Sequence, residues 1–531
     1  MEATWMLDSK TGLVLLTLSL AVLYHVCWHH NRRLPPGPWP FPLVGNISDL
    51  PPPGEAEYLH WLKHKDMYGP LSSVTVLGQP LVILHDRKAA EVLLEKTSLK
   101  TSGRPHQPFA KECGFNEMLP GRQYNAESKR HRKFMHQQLG TKKATQAFSD
   151  VQDVESKRLL LQILAKPKNL RDHYKKETSA IILRITYGYA VESHSADPLV
   201  KLVEEMMDNF SSAFVPLAWM VDIVPQLRYL PEGFPGASFK KTAREWYEVT
   251  RKVYDAPFSF VQELMAAGTN RPSFVSSLIE RLRHGSEDGE LCKEDEEAIK
   301  QSAAILYGGG ADTTISSLTS FTLAMLLFPE VQRKAQREID NVVGSSRLPS
   351  FEDRDQLPYI NAIVKETLRW FPVVPIGTAH ATDDEVVYES FRIPKGAYLL
   401  PSLWWFLHDP DTYADPSVFD PERFLPPRNE SDPSNHVFGF GRRICPGRFL
   451  SQETLFITIA RILATFNIRR ATDGEGRELE VEVRPTAGLI SAPAPFPYLI
   501  EPRSEKHEAL VRALEDGQIW ESSDAAFLKL Q

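Results

Sequence analysis

A single cysteine near the C-terminal end of the sequence stands in a loop whose composition suits metal chemistry. Cys445 lies in residues 438–447, which read Phe-Gly-Phe-Gly-Arg-Arg-Ile-Cys-Pro-Gly. A lone cysteine is more often a small buried apolar residue than a ligand. Here, however, apolar residues at helical spacing follow the loop, so the sulfur is expected at the N-terminus of a buried helix, where a thiolate is favoured. The thiolate is the form of cysteine that binds a metal.

The loop resembles the haem-binding signature of the cytochrome P450 family, F-x-x-G-x-R-x-C-x-G, at every fixed position. The resemblance implies that Cys445 is the axial ligand to the iron of haem b, a thiolate that favours cleavage of the O–O bond. It implies that Arg443 pairs with a haem propionate, although most arginines lie at protein surfaces. Glycines would let the backbone pass close to the flat cofactor and direct N–H groups at the sulfur. The implied haem-binding residues of this loop are Phe438, Gly439, Arg443, Cys445 and Gly447.

Three consecutive glycines, at 308–310, interrupt an apolar segment of helical spacing at a cost of about 1 kcal/mol each relative to alanine. Taken alone, such a run favours a packing site where glycines admit a close neighbour. Residues 309–314 also resemble the family's oxygen-binding pattern. Gly309 and Thr313 are four residues apart, so the hydroxyl can bond to the carbonyl and open a notch for O2 and water. The resemblance implies that Thr313 donates a hydrogen bond at the oxygen site and that Asp312 relays protons from solvent.

Glu366 and Arg369 lie on one face of a helix predicted over 359–370. By themselves they indicate only a solvated surface pair contributing about 0.2–0.5 kcal/mol. In the family, a second arginine joins such a pair, and Arg423 stands at that position here. The resemblance therefore implies that Glu366, Arg369 and Arg423 have a structural role beneath the cysteine loop.

Two further residues are implied to contact the haem. His380 stands where the family often has a histidine or arginine that faces a propionate, although a lone histidine is more often structural. Arg132 ends a segment that resembles the family's W-x-x-x-R helix. Ser128 replaces the tryptophan in this chain, which puts the usual indole contact, and the local register, in doubt.

Composition limits the class of protein. The chain has 531 residues, a net charge of −7 and four cysteines, at 27, 113, 292 and 445, without a C-x-x-C pair. The charge gives no support to a nucleic-acid partner, and the cysteine spacing argues against a zinc site and a disulfide framework. Short strands at 74–76 and 81–84 predict one hairpin in a mainly helical chain. The expected fold class is mainly α with small β-sheets, the cytochrome P450 fold, preceded by an N-terminal transmembrane helix.

The N-terminal region predicts a membrane anchor. Residues 11–28 have no formal charge and are just long enough to span a bilayer, and basic residues follow without a small-residue cleavage site. Positive charge after the span predicts a single-pass protein of the endoplasmic reticulum with its body in the cytosol. The expected domains are an anchor (1–30), a proline-rich hinge (31–60), a catalytic domain (61–503) and a tail without an assigned role (504–531).

Electrons would have to come from a separate protein, because the chain contains no dinucleotide-binding fingerprint and no length for a reductase domain. The resemblance implies an NADPH-dependent cytochrome P450 reductase, with cytochrome b5 as a possible assistant, so that NADPH acts only indirectly. Basic residues at 129–133 and at 442, 443 and 448 are the expected docking face. A solvated helix face is an equal alternative for them.

The resemblance places a pocket for a lipophilic molecule at Phe109, Phe115, residues 211–217, Ala304, Gly308 and residues 373–376 and 489–490, each of which an ordinary core would also contain. Residues 351–359 resemble the fungal secondary-metabolism branch. The expected activity is insertion of one atom of O2 into a lipophilic compound, such as a terpenoid or polyketide. The alternatives are an isomerase or dehydratase that does not use O2, and a non-catalytic haem-binding membrane protein.

Overall fold

The computed structural model describes Thr17 and residues 34–530, except 53, 193–194, 216–217, 288 and 518–519. Helices form most of this part of the chain, and three small sheets complete it. The expected class, mainly α with small β-sheets, is confirmed. The predicted membrane anchor lies, apart from Thr17, outside the described residues.

The described helices fall into long ones that build the core and short ones that connect them. In chain order they are α1 (Glu57–Tyr68), α2 (Arg87–Glu91), α3 (Ser98–Thr101), α4 (Pro108–Glu112), α5 (Ala126–Leu139), α6 (Lys142–Thr145), α7 (Ser149–Ala165), α8 (Leu170–Tyr187), α9 (Pro198–Ala213), α10 (Met220–Ile223), α11 (Phe239–Ala266), α12 (Phe274–His284), α13 (Lys293–Leu327), α14 (Pro329–Val342), α15 (Pro358–Trp370), α16 (Leu403–His408), α17 (Ser434–Val437), α18 (Arg448–Thr465), α19 (Glu505–Arg512) and α20 (Leu514–Gly517).

The strands are β1 (Leu71–Val76), β2 (Gln79–Leu84), β3 (His380–Ala381), β4 (Val386–Tyr388), β5 (Phe391–Ile393), β6 (Tyr398–Pro401), β7 (Phe466–Arg469) and β8 (Leu499–Pro502). The largest sheet has the order β1-β2-β6-β3, with β2 and β6 parallel. The predicted hairpin is confirmed as β1 and β2, whose two-residue turn has φ of 51° at Leu77 and 84° at Gly78. Both values are positive, as a primed hairpin turn requires.

α13 is the axis of the fold. Its N-terminal half packs with α8, α9, α11 and the segment around Phe115 in one apolar core, and its C-terminal half packs with α15 and α18 in a second. Many small hydroxyl side chains lie in this buried helix. They are satisfied locally, since Thr319 and Thr322 donate to the carbonyls of Ile315 and Leu318 at 2.8 and 2.9 Å. The helix therefore tolerates burial on almost every side.

The proline-rich run is not a free spacer after residue 34. The Ser73 N–H donates to the Pro36 carbonyl at 2.9 Å, and the Ser73 hydroxyl donates to the Pro35 carbonyl at 2.5 Å. A Cβ atom on Gly37 would lie 1.8 Å from the Ser73 carbonyl oxygen, so only glycine fits there. The run is thus bound to β1, which fixes the direction in which the chain enters the body.

The C-terminal tail, which the sequence left without a role, is bound to the body. Glu521 accepts two hydrogen bonds of 2.6 Å from the Arg184 guanidinium. Asp524 is almost fully buried, exchanges hydrogen bonds of 2.8 and 2.9 Å with the backbone at Ala190, and accepts from Arg271 at 2.6 Å. The tail thus holds the connection after α8 and the connection before α12 together.

We predict that Asp524→Ala lowers stability, because it leaves the Ala190 N–H without its acceptor and removes one of the three acceptors of the Arg271 guanidinium. A cost of about 1–3 kcal/mol is expected for such a buried loss. The control is Lys529→Ala, which removes an exposed pair with Glu263 and should cost at most about 1 kcal/mol. Melting temperatures of the two variants, measured side by side, should differ by several degrees, and equal values would contradict this role for Asp524.

Among the described residues, no single helix is both long and apolar enough to cross a membrane. α13 and α14 meet that test only as a pair, and they are bent against each other by 105°.

Candidate haem site

The loop of Cys445 is shaped by two residues in the left-handed region. Gly439 has φ of 80° and Gly441 has φ of 50°, and the Cys445 N–H closes the loop with a 2.8 Å hydrogen bond to the Phe438 carbonyl. A Cβ atom on Gly441 would lie 2.4 Å from the Leu94 carbonyl oxygen. Gly441 is therefore needed for close packing against the protein's own backbone.

The Cys445 sulfur lies at the N-terminus of α18, as predicted. The backbone N–H groups of Gly447 and Arg448 donate toward the sulfur, and Arg132 and Arg448 place positive charge near it. In the protein without a metal, burial raises the pKa of the Cys445 thiol, and these donors and charges oppose that increase. These surroundings favour the thiolate form of Cys445, and a bound iron atom would stabilise that form further.

A group of buried cations lies beside this loop. Arg443 donates to the backbone carbonyls of Ser102 and Arg122 at 2.8 Å, and Arg104 donates to those of Pro120 and Ala379 at 2.9 and 2.8 Å. Both side chains are at least nine-tenths buried.

Burial and the charges of Arg443 and Arg132 lower the pKa of Arg104. Burial and the charge of Arg132 lower the pKa of Arg443 to about 10, and the charge of Asp383 acts in the opposite sense. Within the described residues, no carboxylate oxygen lies within 4 Å of Arg104, Arg443 or Arg132.

This excess of positive charge indicates whether the residues present fit an anionic cofactor such as haem. Buried charges are normally paired, and two guanidinium groups buried in one place without a carboxylate in contact are costly. A ligand with carboxylates would neutralise them, and haem carries two propionates. The residues present therefore fit the cofactor that the cysteine loop implies, with Cys445 to bind the iron and Arg104 and Arg443 to bind the propionates.

Arg104 is a site residue that the sequence did not reveal. It lies in an irregular segment between α3 and α4, where neither periodicity nor a recognised motif marks it. The segment reaches the site because the Ala381 N–H donates to the Gly103 carbonyl at 2.9 Å, which adds it to the edge of the sheet next to β3. Only the fold shows that the Arg104 charge is buried.

His380 lies among these cations on β3. Its Nδ1 atom is 2.8 Å from the Thr101 carbonyl oxygen, so Nδ1 carries the proton and Nε2 is an acceptor. Burial and the charges of Arg104 and Arg443 lower the pKa of His380 to about 3. In this neutral form His380 cannot donate to a carboxylate. It can do so only if the charge of a bound anion raises its pKa.

Arg132 lies close to the cysteine loop, since it donates to the Ile444 carbonyl at 2.7 Å. The expected register of the α5 segment is therefore kept although the tryptophan is missing. Ser128 is fully buried and forms a capping box with Asn125, in which the two residues exchange hydrogen bonds of 2.9 Å. The serine at this position thus caps α5, a task that an indole could not perform.

The three glycines of α13 have two different roles. A Cβ atom at Gly308 would lie 2.4 Å from the Met207 sulfur, and one at Gly310 would lie 3.0 Å from the Ile182 side chain. For these two positions the packing alternative is correct. Gly309 is exposed, and a Cβ atom there would meet nothing within 4 Å. An opening thus faces Gly309 in the middle of a helix that is otherwise buried.

Thr313 borders the same opening. Its hydroxyl donates to the Gly309 carbonyl at 2.9 Å, as the spacing predicted. Thr314 makes the equivalent bond to Gly310, also at 2.9 Å, but its side chain is buried. The helix continues without a break through these residues, so the bond does not interrupt it.

Asp312 points toward charged residues of α8 and α9. Burial raises the pKa of its carboxyl, with further contributions from the negative charges of Glu204 and Asp208, while Lys175 acts in the opposite sense. Glu204 and Lys175 form an ion pair of 2.6 Å. A carboxyl with a raised pKa next to such groups is suited to pass protons between solvent and the helix.

Glu366, Arg369 and Arg423 are brought together and are fully buried. Glu366 accepts from Arg369 at 2.7 and 2.8 Å and from Arg423 at 3.0 Å. Arg369 also donates to the carbonyls of Leu407 and Pro416, both at 2.9 Å, so it holds the chain that follows β6.

Glu430 completes this network, because its carboxylate accepts from Arg423 at 2.8 Å. The sequence did not mark Glu430, since no fixed spacing connects it to the motif.

We predict that Glu366→Ala abolishes haem incorporation, because it leaves Arg369 and Arg423 buried without their shared carboxylate, at a cost of about 3–5 kcal/mol. The matched control is Glu422→Ala, the neighbour of Arg423 in sequence, whose exposed side chain pairs only with Lys334. Haem content per purified chain is the measurement. A Glu366→Ala protein that holds as much haem as the control would rule out this structural role.

Several of the residues expected around a substrate lie in the first core, whereas Ile376 packs against the cluster of Trp61 and Leu489 is exposed. Phe109, Phe115 and Ala304 are fully buried there, and Phe115 packs edge to face on Phe210 at 5.3 Å. Gly308 contacts Met207, and Val373 is buried. Residues 216–217 lie outside the described residues.

Comparison with known proteins decides the family. The sequence profile of the family described as Cytochrome P450 matches residues 35–494. The chain belongs to the cytochrome P450 family. The cytochrome P450 monooxygenase CLM2 of Gibberella zeae is 50% identical to this P450 over 523 residues, which cover 97% of this chain and 98% of the relative.

Other fungal proteins match over almost the full length. A multifunctional cytochrome P450 monooxygenase of Aspergillus fumigatus is 48% identical over 501 residues, 94% of each chain. The O-methylsterigmatocystin oxidoreductase of Aspergillus flavus is 39% identical over 495 residues, 93% of this chain and 92% of the relative. Membership of the family implies haem as the cofactor of this P450.

Proposed function

We propose that this P450 is a monooxygenase that inserts one atom of O2 into a lipophilic small molecule. The observation that carries the proposal is the pairing of a cysteine at a helix N-terminus with buried, uncompensated arginines. When bound there, haem supplies the activation of O2. The chain itself holds the sulfur, neutralises the propionates, and provides Thr313 and Asp312 to position and move protons at the opening beside Gly309.

The relatives support an oxidation in secondary metabolism. The Gibberella zeae and Aspergillus fumigatus relatives carry the name monooxygenase, and the Aspergillus flavus relative is named as an oxidoreductase of O-methylsterigmatocystin. We propose a terpenoid or polyketide as the substrate class. An isomerase or dehydratase that does not use O2 needs no proton delivery, so the presence of both Asp312 and Thr313 counts against that alternative.

A separate reductase is proposed as the electron donor, with NADPH as the source. Lys129, Lys133 and Arg442 are exposed near the cysteine loop, and Lys129 and Arg442 both lie over the ring of Tyr124, at 5.1 and 5.5 Å. These charges would attract an acidic partner at a rate that falls with ionic strength. Cytochrome b5 is a second candidate for the same face.

The experiment is to express the full chain in yeast with a cytochrome P450 reductase and to feed candidate terpenoids and polyketides. A product heavier by one oxygen atom, labelled by ¹⁸O2 and absent without the reductase, is expected. A product that forms under nitrogen would support the isomerase instead. Haem binding with no turnover of any kind would support the non-catalytic alternative.

We predict that Thr313→Ala separates electron use from product formation. The substitution removes the hydroxyl at the opening, so NADPH oxidation should continue while product per NADPH falls by about 100-fold, the lower end of the usual contribution of positioned proton transfer. Thr314→Ala is the matched control, because it removes the same type of helix bond from a buried side chain. Equal coupling in the two variants would argue against Thr313 as the proton-positioning residue.

We propose a single-pass anchor at residues 1–30, with the body on the cytosolic side of the endoplasmic reticulum. The support is the uncharged stretch at 11–28 and the basic residues after it.

The prediction is that Asn429 carries no glycan when the chain is made in a eukaryotic host. Of the three N-x-S sequons, Asn46 is buried and Asn209 is half-buried in α9, whereas Asn429 is exposed and outside the helices. Asn429 is therefore the informative reporter. A chain with a cleavable signal peptide in place of residues 1–30 should be glycosylated at Asn429 and serves as the control. A glycan at Asn429 of the natural chain would show the opposite topology.

A further inference from the structure

Residues 122–124 lie directly before α5, in the part of the chain where Ser128 replaces the tryptophan of the family pattern. The Arg122 carbonyl accepts a 2.8 Å hydrogen bond from the Arg443 guanidinium. This short segment therefore borders the buried cations of the haem site, although no motif marks it in the sequence.

The Gln123 side chain forms two hydrogen bonds with the backbone of Arg104. Its Oε1 atom accepts from the Arg104 N–H at 3.0 Å, and its Nε2 atom donates to the Arg104 carbonyl at 2.8 Å. A side-chain amide has one acceptor oxygen and one donor nitrogen, and here both meet the backbone of a single residue. Gln123 thus gives Arg104 the pair of bonds that a neighbouring antiparallel strand would give it.

The largest sheet holds the same segment one residue earlier. The Ala381 N–H of β3 donates to the Gly103 carbonyl at 2.9 Å. A Cβ atom on Gly103 would lie 2.8 Å from the Ala381 carbonyl oxygen, so the two chains are in close contact. The backbone at 103–104 is therefore fixed from two directions, by β3 and by Gln123.

The position of the Arg104 guanidinium depends on this fixed backbone. The side chain is long, and it reaches the Pro120 and Ala379 carbonyls at 2.9 and 2.8 Å while it is almost fully buried. Burial is unfavourable for its charge, and a long side chain loses conformational freedom when it is held in one place. A backbone that could move would let the guanidinium turn toward water.

Gln123 is itself held by the residues on both sides of it. The Arg122 guanidinium donates to the Gln301 side chain of α13 at 2.7 Å. Asn125 is the N-cap of α5, and its side chain accepts from the backbone of the first turn. The amide of Gln123 is thus presented from a segment that is fixed to α13 and to α5.

We propose that Gln123 is a positioning residue for the haem, which holds Arg104 so that its guanidinium neutralises a propionate. Gln123 acts through Arg104, and it connects the start of α5 to the cofactor site in a chain that lacks the indole of the family pattern. The inference rests on the proposed function only in that haem occupies the site, and it requires neither a substrate nor turnover.

The test uses the haem-loaded full chain and Gln123→Met, which keeps the length of the side chain and removes both hydrogen bonds. Transfer of haem to excess apomyoglobin should be about 10-fold faster than from the unaltered chain, at the lower end of the effect of groups that orient the ligands of a metal. The midpoint potential of the iron should fall, because a propionate that is less well neutralised favours the oxidised form.

Gln107→Met is the matched control. Gln107 lies three residues after Arg104 in the same segment, and its side chain does not cap α4. Its haem transfer rate and midpoint potential should equal those of the unaltered chain. Equal potentials in Gln123→Met and Gln107→Met would overturn the proposal, even if Gln123→Met melted at a lower temperature, because a lower melting temperature alone indicates only a structural role.

A double-mutant cycle shows whether Gln123 acts through Arg104. In an Arg104→Met background, Gln123→Met should change the haem transfer rate by less than about twofold, because the side chain that Gln123 positions is absent. An undiminished effect in that background would overturn the proposal. If Arg104→Met takes up no haem, the comparison of the two glutamine variants decides alone. An unaltered chain that binds no haem would overturn the proposed function together with this inference, whereas the other outcomes leave the proposed function intact.

Discussion

Buried positive charge beside one cysteine sulfur is the constraint on which the rest of this structure depends. Arg104 and Arg443 are taken out of water with backbone carbonyls as their hydrogen-bond acceptors, and the charge of Arg443 lowers the pKa of Arg104 further. A protein core does not keep such charges unless something repays their desolvation. An anionic cofactor does so, and its binding energy is then also folding energy for the segments that carry the two arginines.

The segments that carry Arg104 and Arg443 come from distant parts of the chain. Buried ion pairs and a short sheet hold the structure around these segments in place. Glu366 neutralises two buried arginines, and one of them, Arg369, fixes α16 and the chain that follows it to α15. The short sheet places His380 next to the segment of Arg104. The segment around Phe109, in contrast, is held by aromatic contacts with Trp219 and Trp246 and by one hydrogen bond to Asp222.

The sequence predicted the features that have a fixed local spacing. The cysteine at the start of α18, the bond from Thr313 to Gly309 and the β1–β2 hairpin all depend on residues close together in the chain, and the structure contains them. It missed Arg104, whose importance arises from burial and from the distant Ala379 carbonyl, and Glu430, because no motif or fixed spacing connects it to Arg423.

The sequence also suggested one shared role for Gly308, Gly309 and Gly310. Packing against Met207 and Ile182 separates Gly308 and Gly310 from Gly309. The part of Ser128 in the capping box with Asn125 was not predicted, because the family pattern marks position 128 only by its tryptophan.

The most direct test of the central claim is the carbon-monoxide difference spectrum of the reduced, haem-loaded protein. A thiolate from Cys445 predicts a strongly red-shifted band, and replacement of Cys445 by histidine should move that band to the position of a nitrogen-bound haem. A band at the nitrogen position in the unaltered, active protein, or an unaltered protein that stays colourless when haem is abundant, would contradict the account.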